Sequence, residues 1–131
     1  MSDRPIFRPG FAAILALAAV SAAALGLALY MRYWVVEPAV VGLACDAGSM
    51  TTICVVRRTF IGIFVWYGFG GAALVATALA LLRPSNLLIG AALIFGLIGV
   101  VNYNTQLSAL ALALLPLVLA RPAPEREFQP E

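Results

Sequence analysis

Long apolar runs, each closed by a short polar cluster, set the rhythm of this chain. The first occupies residues 11–34 with no charge before Arg32, the second residues 59–82, the third 86–102 and the fourth 105–120. Apolar residues come in blocks instead of alternating with polar ones, which is the pattern of membrane-crossing helices. Crossing ~30 Å of hydrocarbon takes ~20 residues at about 1.5 Å each. The first two runs meet that length. The last two fall short and need flanking residues or a locally thinned bilayer.

The polar clusters between the runs read as turns. "RPSN" (Arg83–Asn86) ends one helix with Pro84 as breaker and offers Ser85 or Asn86 as a cap for the next. "NYNTQ" (Asn102–Gln106) suits a tight turn at the headgroup level, because Asn tolerates turn conformations and Tyr favours the interface. The pattern predicts an all-α, integral membrane four-helix bundle built as two antiparallel transmembrane hairpins. Residues 1–10 form a cytoplasmic N-terminal segment and residues 35–58 an extracytoplasmic loop. Pro116 predicts a kink in the fourth helix. The start of the chain resembles a signal peptide, with "AVSAAA" as a small-residue cleavage site. The apolar run continues past it through "LGLALY", so it is expected to stay as an uncleaved first span. Residues 121–131, rich in Pro and charge, are expected to form a disordered cytoplasmic tail.

Composition narrows the class. Hydrophobic residues make up 63% of the chain and charged ones 11%, with a mean hydropathy of +1.02. A soluble domain carries about 25% charged residues, so a water-facing surface cannot be assembled from this supply. The net charge of +2 is too small and scattered for nucleic-acid binding. The expected partners are the lipid bilayer and either other membrane subunits or a second copy of the chain.

All eight basic residues are arginine, and they bear on orientation. With the N-terminus inside, Arg4, Arg8, Arg83, Arg121 and Arg126 lie on the cytoplasmic side, against Arg32, Arg57 and Arg58 outside. A disulfide between Cys45 and Cys54 would persist only on an oxidising side. Both signals predict cytoplasmic termini, an outside cysteine loop and a multi-pass protein of the bacterial inner (plasma) membrane.

Cys45 and Cys54 admit two readings. A catalytic dithiol passing electrons to a quinone calls for a close Cys-x-x-Cys pair and normally a second pair as relay. This chain has one pair, with eight residues between. A structural bond closing that small loop is worth roughly 2.5–3 kcal/mol in the chain-entropy treatment. The staple is the reading adopted, and the thiol–quinone oxidoreductase is the alternative.

No ionisable residue falls at 11–31, 59–82, 86–101 or 106–120, tyrosine aside. Such a group inside a bilayer costs several kcal/mol and usually marks function. Proton relays and ion-coupled transport need them. The chain has no histidine, and with two cysteines a zinc or haem site is not expected. No catalytic residue, metal or cofactor is therefore predicted.

The spans do carry small residues four apart: Ala18, Ala22 and Gly26 in the first, Gly68, Ala72, Ala76 and Ala80 in the second, Ala92 and Gly96 in the third. Small stripes let helix backbones approach closely where lipid removes the hydrophobic incentive to associate. Aromatic residues collect near the outer face at Tyr30, Tyr33, Trp34, Trp66, Tyr67 and Tyr103. They read as an interfacial belt, with Trp34, Trp66 and Tyr67 as a shallow lipid or quinone contact in a sharper version. These features predict a non-catalytic accessory or structural subunit of a membrane complex. An oligomeric carrier of lipid or small apolar solute is a third possibility, since such a passage needs no buried charge.

Overall fold

A computed structural model describes residues 6–48 and 50–122. Among these residues the architecture is all-helical, with six α-helices and an isolated antiparallel bridge between Ile6 and Pro122. Helix α1 spans Phe11–Tyr30 and runs directly into a π-helical turn, Met31–Val36. Short α2 covers Ala39–Asp46, α3 Thr52–Val65, α4 Gly68–Leu82, α5 Asn86–Val101 and α6 Thr105–Val118.

Among the described residues only the continuous helix Phe11–Val36 is long and apolar enough to cross a bilayer by itself. Helices α3 and α4 reach that length together but are bent by 54° at their junction. The expected single helix over 59–82 is thus two helices, and its first part starts seven residues early, at Thr52. The expected loop over 35–58 holds α2 and the opening turns of α3. The break falls at Tyr67, which is left-handed with φ 58°, and Gly68 follows because nothing larger fits. A Cβ on Gly68 would lie 2.8 Å from the Ile63 carbonyl oxygen.

Helices α4, α5 and α6 form a triangular core, and α1 lies against α5. The α1–α5 pair is parallel. Leu17 sits over Gly90 near the start of both helices, and Asn102 reaches the Ala28 carbonyl at their far ends. The two-hairpin expectation therefore fails for the first hairpin, because α1 takes α5 as its main partner and not the helix that follows it. Ser85 caps α5 through the Leu87 N–H at 3.2 Å. Pro116 lies in the last turn of α6, where its missing N–H removes one bond near the helix end.

Two apolar clusters fill the bundle, one at each end. Ala80, Ile89 and Val118, with Phe7, Leu17 and Leu115 against them, occupy one end. Ala24, Ala28, Phe69 and Ile98 occupy the other, covered by Phe60 and Phe64 of α3. At the first end the Phe7 N–H donates to the Arg121 carbonyl at 2.9 Å, so the two flanks of the bundle meet there. Most of the tail predicted to be disordered, from residue 123 on, lies outside the described residues.

Candidate functional site

The polar side chains of the bundle gather at the end opposite that meeting point, where helices α1, α3 and α5 all stop. A helix that stops leaves carbonyls and N–H groups without intrahelical partners. Where no water reaches, something in the protein must supply them.

Asn104 does this for the α3–α4 break. Its Nδ2 donates to the Phe64 carbonyl at the end of α3 (2.7 Å), and its Oδ1 accepts from the Gly70 N–H in the first turn of α4 (3.2 Å). One amide thus caps both sides of the interruption, from a turn more than thirty residues further along. Asn102 works similarly on α1 and α5, donating from Nδ2 to the Ala28 and Ile98 carbonyls at 3.2 and 3.0 Å. Both asparagines are buried. Deeper in the core the Thr77 hydroxyl donates to the Ala111 carbonyl at 3.3 Å, tying α4 to α6.

Close backbone approach brings these groups together. A Cβ on Gly99 would run into Ser108 Oγ, and one on Gly70 would come within 2.7 Å of Leu107 Cβ. The glycines of α4 and α5 are therefore the places where α6 nests.

Arg32, in the π turn, completes the end. It donates from Nη1 to the Val101 carbonyl at 2.6 Å and from Nε to Glu37 Oε1 at 2.8 Å. The same carboxylate oxygen accepts from the Tyr103 hydroxyl at 2.7 Å. The guanidinium also lies over the rings of Tyr33 and Tyr103, 5.5 and 5.0 Å from their centroids. The Tyr103 hydroxyl, and then Arg32, hold the Glu37 carboxyl below the usual carboxylate range. The bond to Glu37, with some desolvation, pushes the Tyr103 phenol above its usual range. This clasp fixes the turn between α5 and α6 to the end of α1.

The cysteines lie apart from the clasp. Their sulfurs are at bonding distance, 2.02 Å, linking the last turn of α2 to the first turn of α3. Cys54 is buried. A cavity of about 180 Å³ opens beside the bond, lined by Cys45, Asp46, Cys54, Arg57, Arg58 and Ile61.

The predicted packing residues divide by helix. Ala76, Ala80, Ala92 and Gly96 are buried, and a Cβ on Gly96 would meet Leu112 of α6 at 2.8 Å. Ala72 is half-buried, and Gly68 serves the helix break. Ala18, Ala22 and Gly26 are exposed, and a Cβ on Gly26 would meet nothing within 4 Å. Helix α1 instead turns Leu17, Ser21, Ala24 and Ala28 inward. In a helix this rich in alanine, a small-residue spacing exists on more than one face.

Trp34, Trp66 and Tyr67 are 68%, 85% and 61% exposed. Their side chains stand out from the helices. Sequence reasoning passes over Arg32, Glu37, Asn102, Asn104 and Thr77 as bonding residues. The signal for two of them is nonetheless present: the chain has three asparagines, and two flank Tyr103 between apolar runs. No protein-family model, curated protein or solved structure matches this chain.

Proposed function

We propose that this chain is a non-catalytic four-helix protein of the bacterial plasma membrane, an accessory or structural subunit that offers the outer face of α1 to a partner. The observation carrying this reading is a contrast in how side chains are used. Arg32, Thr77, Asn102 and Asn104 all donate to main-chain carbonyls of their own bundle, while the outer face of α1 is bare. Polar groups committed to capping are not available to move protons or ions. A bare apolar face with Ala18, Ala22 and Gly26 at its centre suits close approach of another helix.

Topology supports the membrane placement. The flanks of the bundle meet at one end through Phe7 and Arg121, and the disulfide lies at the other. That arrangement suits an even number of crossings, with the termini on the reducing side and Cys45–Cys54 on the oxidising side. The short helices α5 and α6, at 16 and 14 residues, call for a thinned bilayer around them.

Purification of the full chain from its native membrane in mild detergent tests the proposal. The expected result is a particle larger than one chain, containing a stoichiometric membrane partner or further copies. A chain that always runs alone overturns it. The competing dithiol reading has one observation in its favour, the cavity beside the Cys45–Cys54 bond. Replacing either cysteine by Ser would abolish turnover in an electron-transfer enzyme. In a stapled loop it lowers only thermal stability.

A further inference from the structure

The cavity beside the disulfide has a lining that neither the bundle nor the subunit reading uses. Cys54, Arg57, Arg58 and Ile61 share one face of α3, at the three- and four-residue spacings that bring side chains together on a helix. The Cys45–Cys54 bond holds the end of α2 against this face and brings Asp46 into the lining.

Arg57 is pinned but not saturated. Its Nη2 donates to the Val36 carbonyl at 3.3 Å, a long bond, and lies close over Gly42, where a Cβ would come within 3.3 Å of it. Its Nε is buried without a hydrogen-bond partner. A guanidinium carries five N–H donors; with one given to Val36 and the buried Nε out of a ligand's reach, three remain on the Nη atoms. Arg58 is exposed, and among the described residues neither arginine forms an ion pair. The lining holds two guanidiniums and one carboxylate, which leaves it net positive. The space, about 180 Å³, is well above one water's share of ~30 Å³.

The geometry points to a binding site for a phosphoryl group, held between Arg57 and Arg58. Tetrahedral phosphate oxygens match the planar guanidinium fork, and adjacent arginines can share one such group. The group can belong to a phospholipid headgroup or to a soluble phosphate. The inference does not depend on whether the chain is a subunit of anything.

The test uses the full chain with its disulfide intact, in two arms. In one, the protein sits in nanodiscs of a phosphate-free glycolipid doped with phosphatidylglycerol, and retained lipid is counted by native mass spectrometry. In the other, inorganic phosphate is titrated calorimetrically into protein in maltoside detergent. Saturable binding near one group per chain is expected, weakened about tenfold by Arg58→Gln and further by the Arg57→Gln/Arg58→Gln pair. Asp46→Asn removes the lining's one carboxylate and should tighten binding a few-fold. Binding in the lipid arm alone identifies a headgroup, and binding in the phosphate arm identifies a soluble ligand. Arg58 is exposed, so its variant keeps the fold and the experiment readable. No saturable binding in either arm, equal binding by Arg58→Gln, or weaker binding by Asp46→Asn overturns the site.

Discussion

At the end of the bundle where the flanks of the chain meet, the helices are held by Phe7, Leu17, Ala80, Ile89 and Val118, with Ser85 capping α5 locally. At the opposite end Arg32, Asn102 and Asn104 reach across the bundle to main-chain carbonyls. The two ends differ in how often the backbone is interrupted. One turn, between α4 and α5, lies at the first end. At the second, α1 widens into a π turn, α3 breaks from α4, and α5 turns into α6. Each interruption strands backbone groups that the apolar side chains around them cannot satisfy. Polar side chains therefore collect where the breaks are, and their presence there is no sign of a reaction centre.

The largest expected effect tests that division directly. Asn104→Ala leaves the buried Gly70 N–H without its partner and removes a second donor from the part-buried Phe64 carbonyl. The expected loss is about 2–4 kcal/mol. Val118→Ala at the apolar end, also fully buried, should lose about 1–2 kcal/mol through the cavity it leaves. Equilibrium unfolding in mixed micelles compares the two. Equal losses would mean that the capping amides are not what distinguishes the ends.

Next in size is Gly99→Ala, which places a methyl group against Ser108 Oγ and 3.3 Å from Asn104 Cβ. The α5–α6 contact must open, at a cost of about 1–3 kcal/mol. Ser108→Ala should be near neutral alone, because its buried hydroxyl has no partner among the described residues. In the double variant it should recover part of the loss, because the added methyl still lies 3.1 Å from the Cβ of residue 108. A double-mutant cycle measures that coupling, and strict additivity would show that the two helices do not meet at this point.

These contacts also mark how far the chain can be read without a structure. Helical content and block boundaries are legible, because a run such as residues 87–101 has no polar residue to place on a second face. The break at Trp66–Tyr67 is not. Both residues are apolar enough to continue a hydropathy block, and only the close approach of Gly68 to the Ile63 carbonyl reveals a stop. The pairing of α1 is equally hidden. Its inward line through Leu17, Ser21, Ala24 and Ala28 and its outward line through Ala18, Ala22 and Gly26 differ by one helical step of about 100°. Both lines are built mainly of small residues, and one serine is too slight a polar mark to orient the helix. Tertiary contact with α5 chooses between them. In sequence the first span reads to Trp34, two residues past Arg32. Glu37 and the Val101 carbonyl supply what Arg32 needs, so the helix continues to Val36.

A smaller effect is expected from the clasp, and it depends on pH. The Tyr103 hydroxyl and Arg32 lower the pKa of Glu37, so the carboxylate's contribution is present at neutral pH. It is lost as pH falls through the folded-state value of that carboxyl. Tyr103 is shifted upward, so its contribution is present below the usual phenol range and lost as pH rises through its raised value. Tyr103→Phe keeps the ring beneath Arg32 and removes only the hydroxyl. Thermal melting across pH should show the wild type ahead of Tyr103→Phe at neutral pH, the gap closing once Glu37 is protonated. A gap that does not vary with pH would detach the clasp from stability.

The smallest effect is expected outside the bundle altogether. A Cβ at Gly26 meets nothing, whereas Ala28, two residues on, is fully buried and its carbonyl accepts from Asn102. Gly26→Ala should change the stability of the isolated chain by no more than ~0.5 kcal/mol. Gly26→Leu should behave alike, because a Cβ there meets nothing within 4 Å and the side chain extends away from the other helices of the chain. The informative quantity is the pair of readouts together. If α1 is a docking face, Gly26→Leu keeps the melting curve of the purified chain and still dissociates it from its partner in mild detergent, since a bulky residue there holds a second helix away. If both stability and association are unchanged, this face of α1 is lipid-facing surface. Its small residues then reflect an alanine-rich helix that needed only its other side.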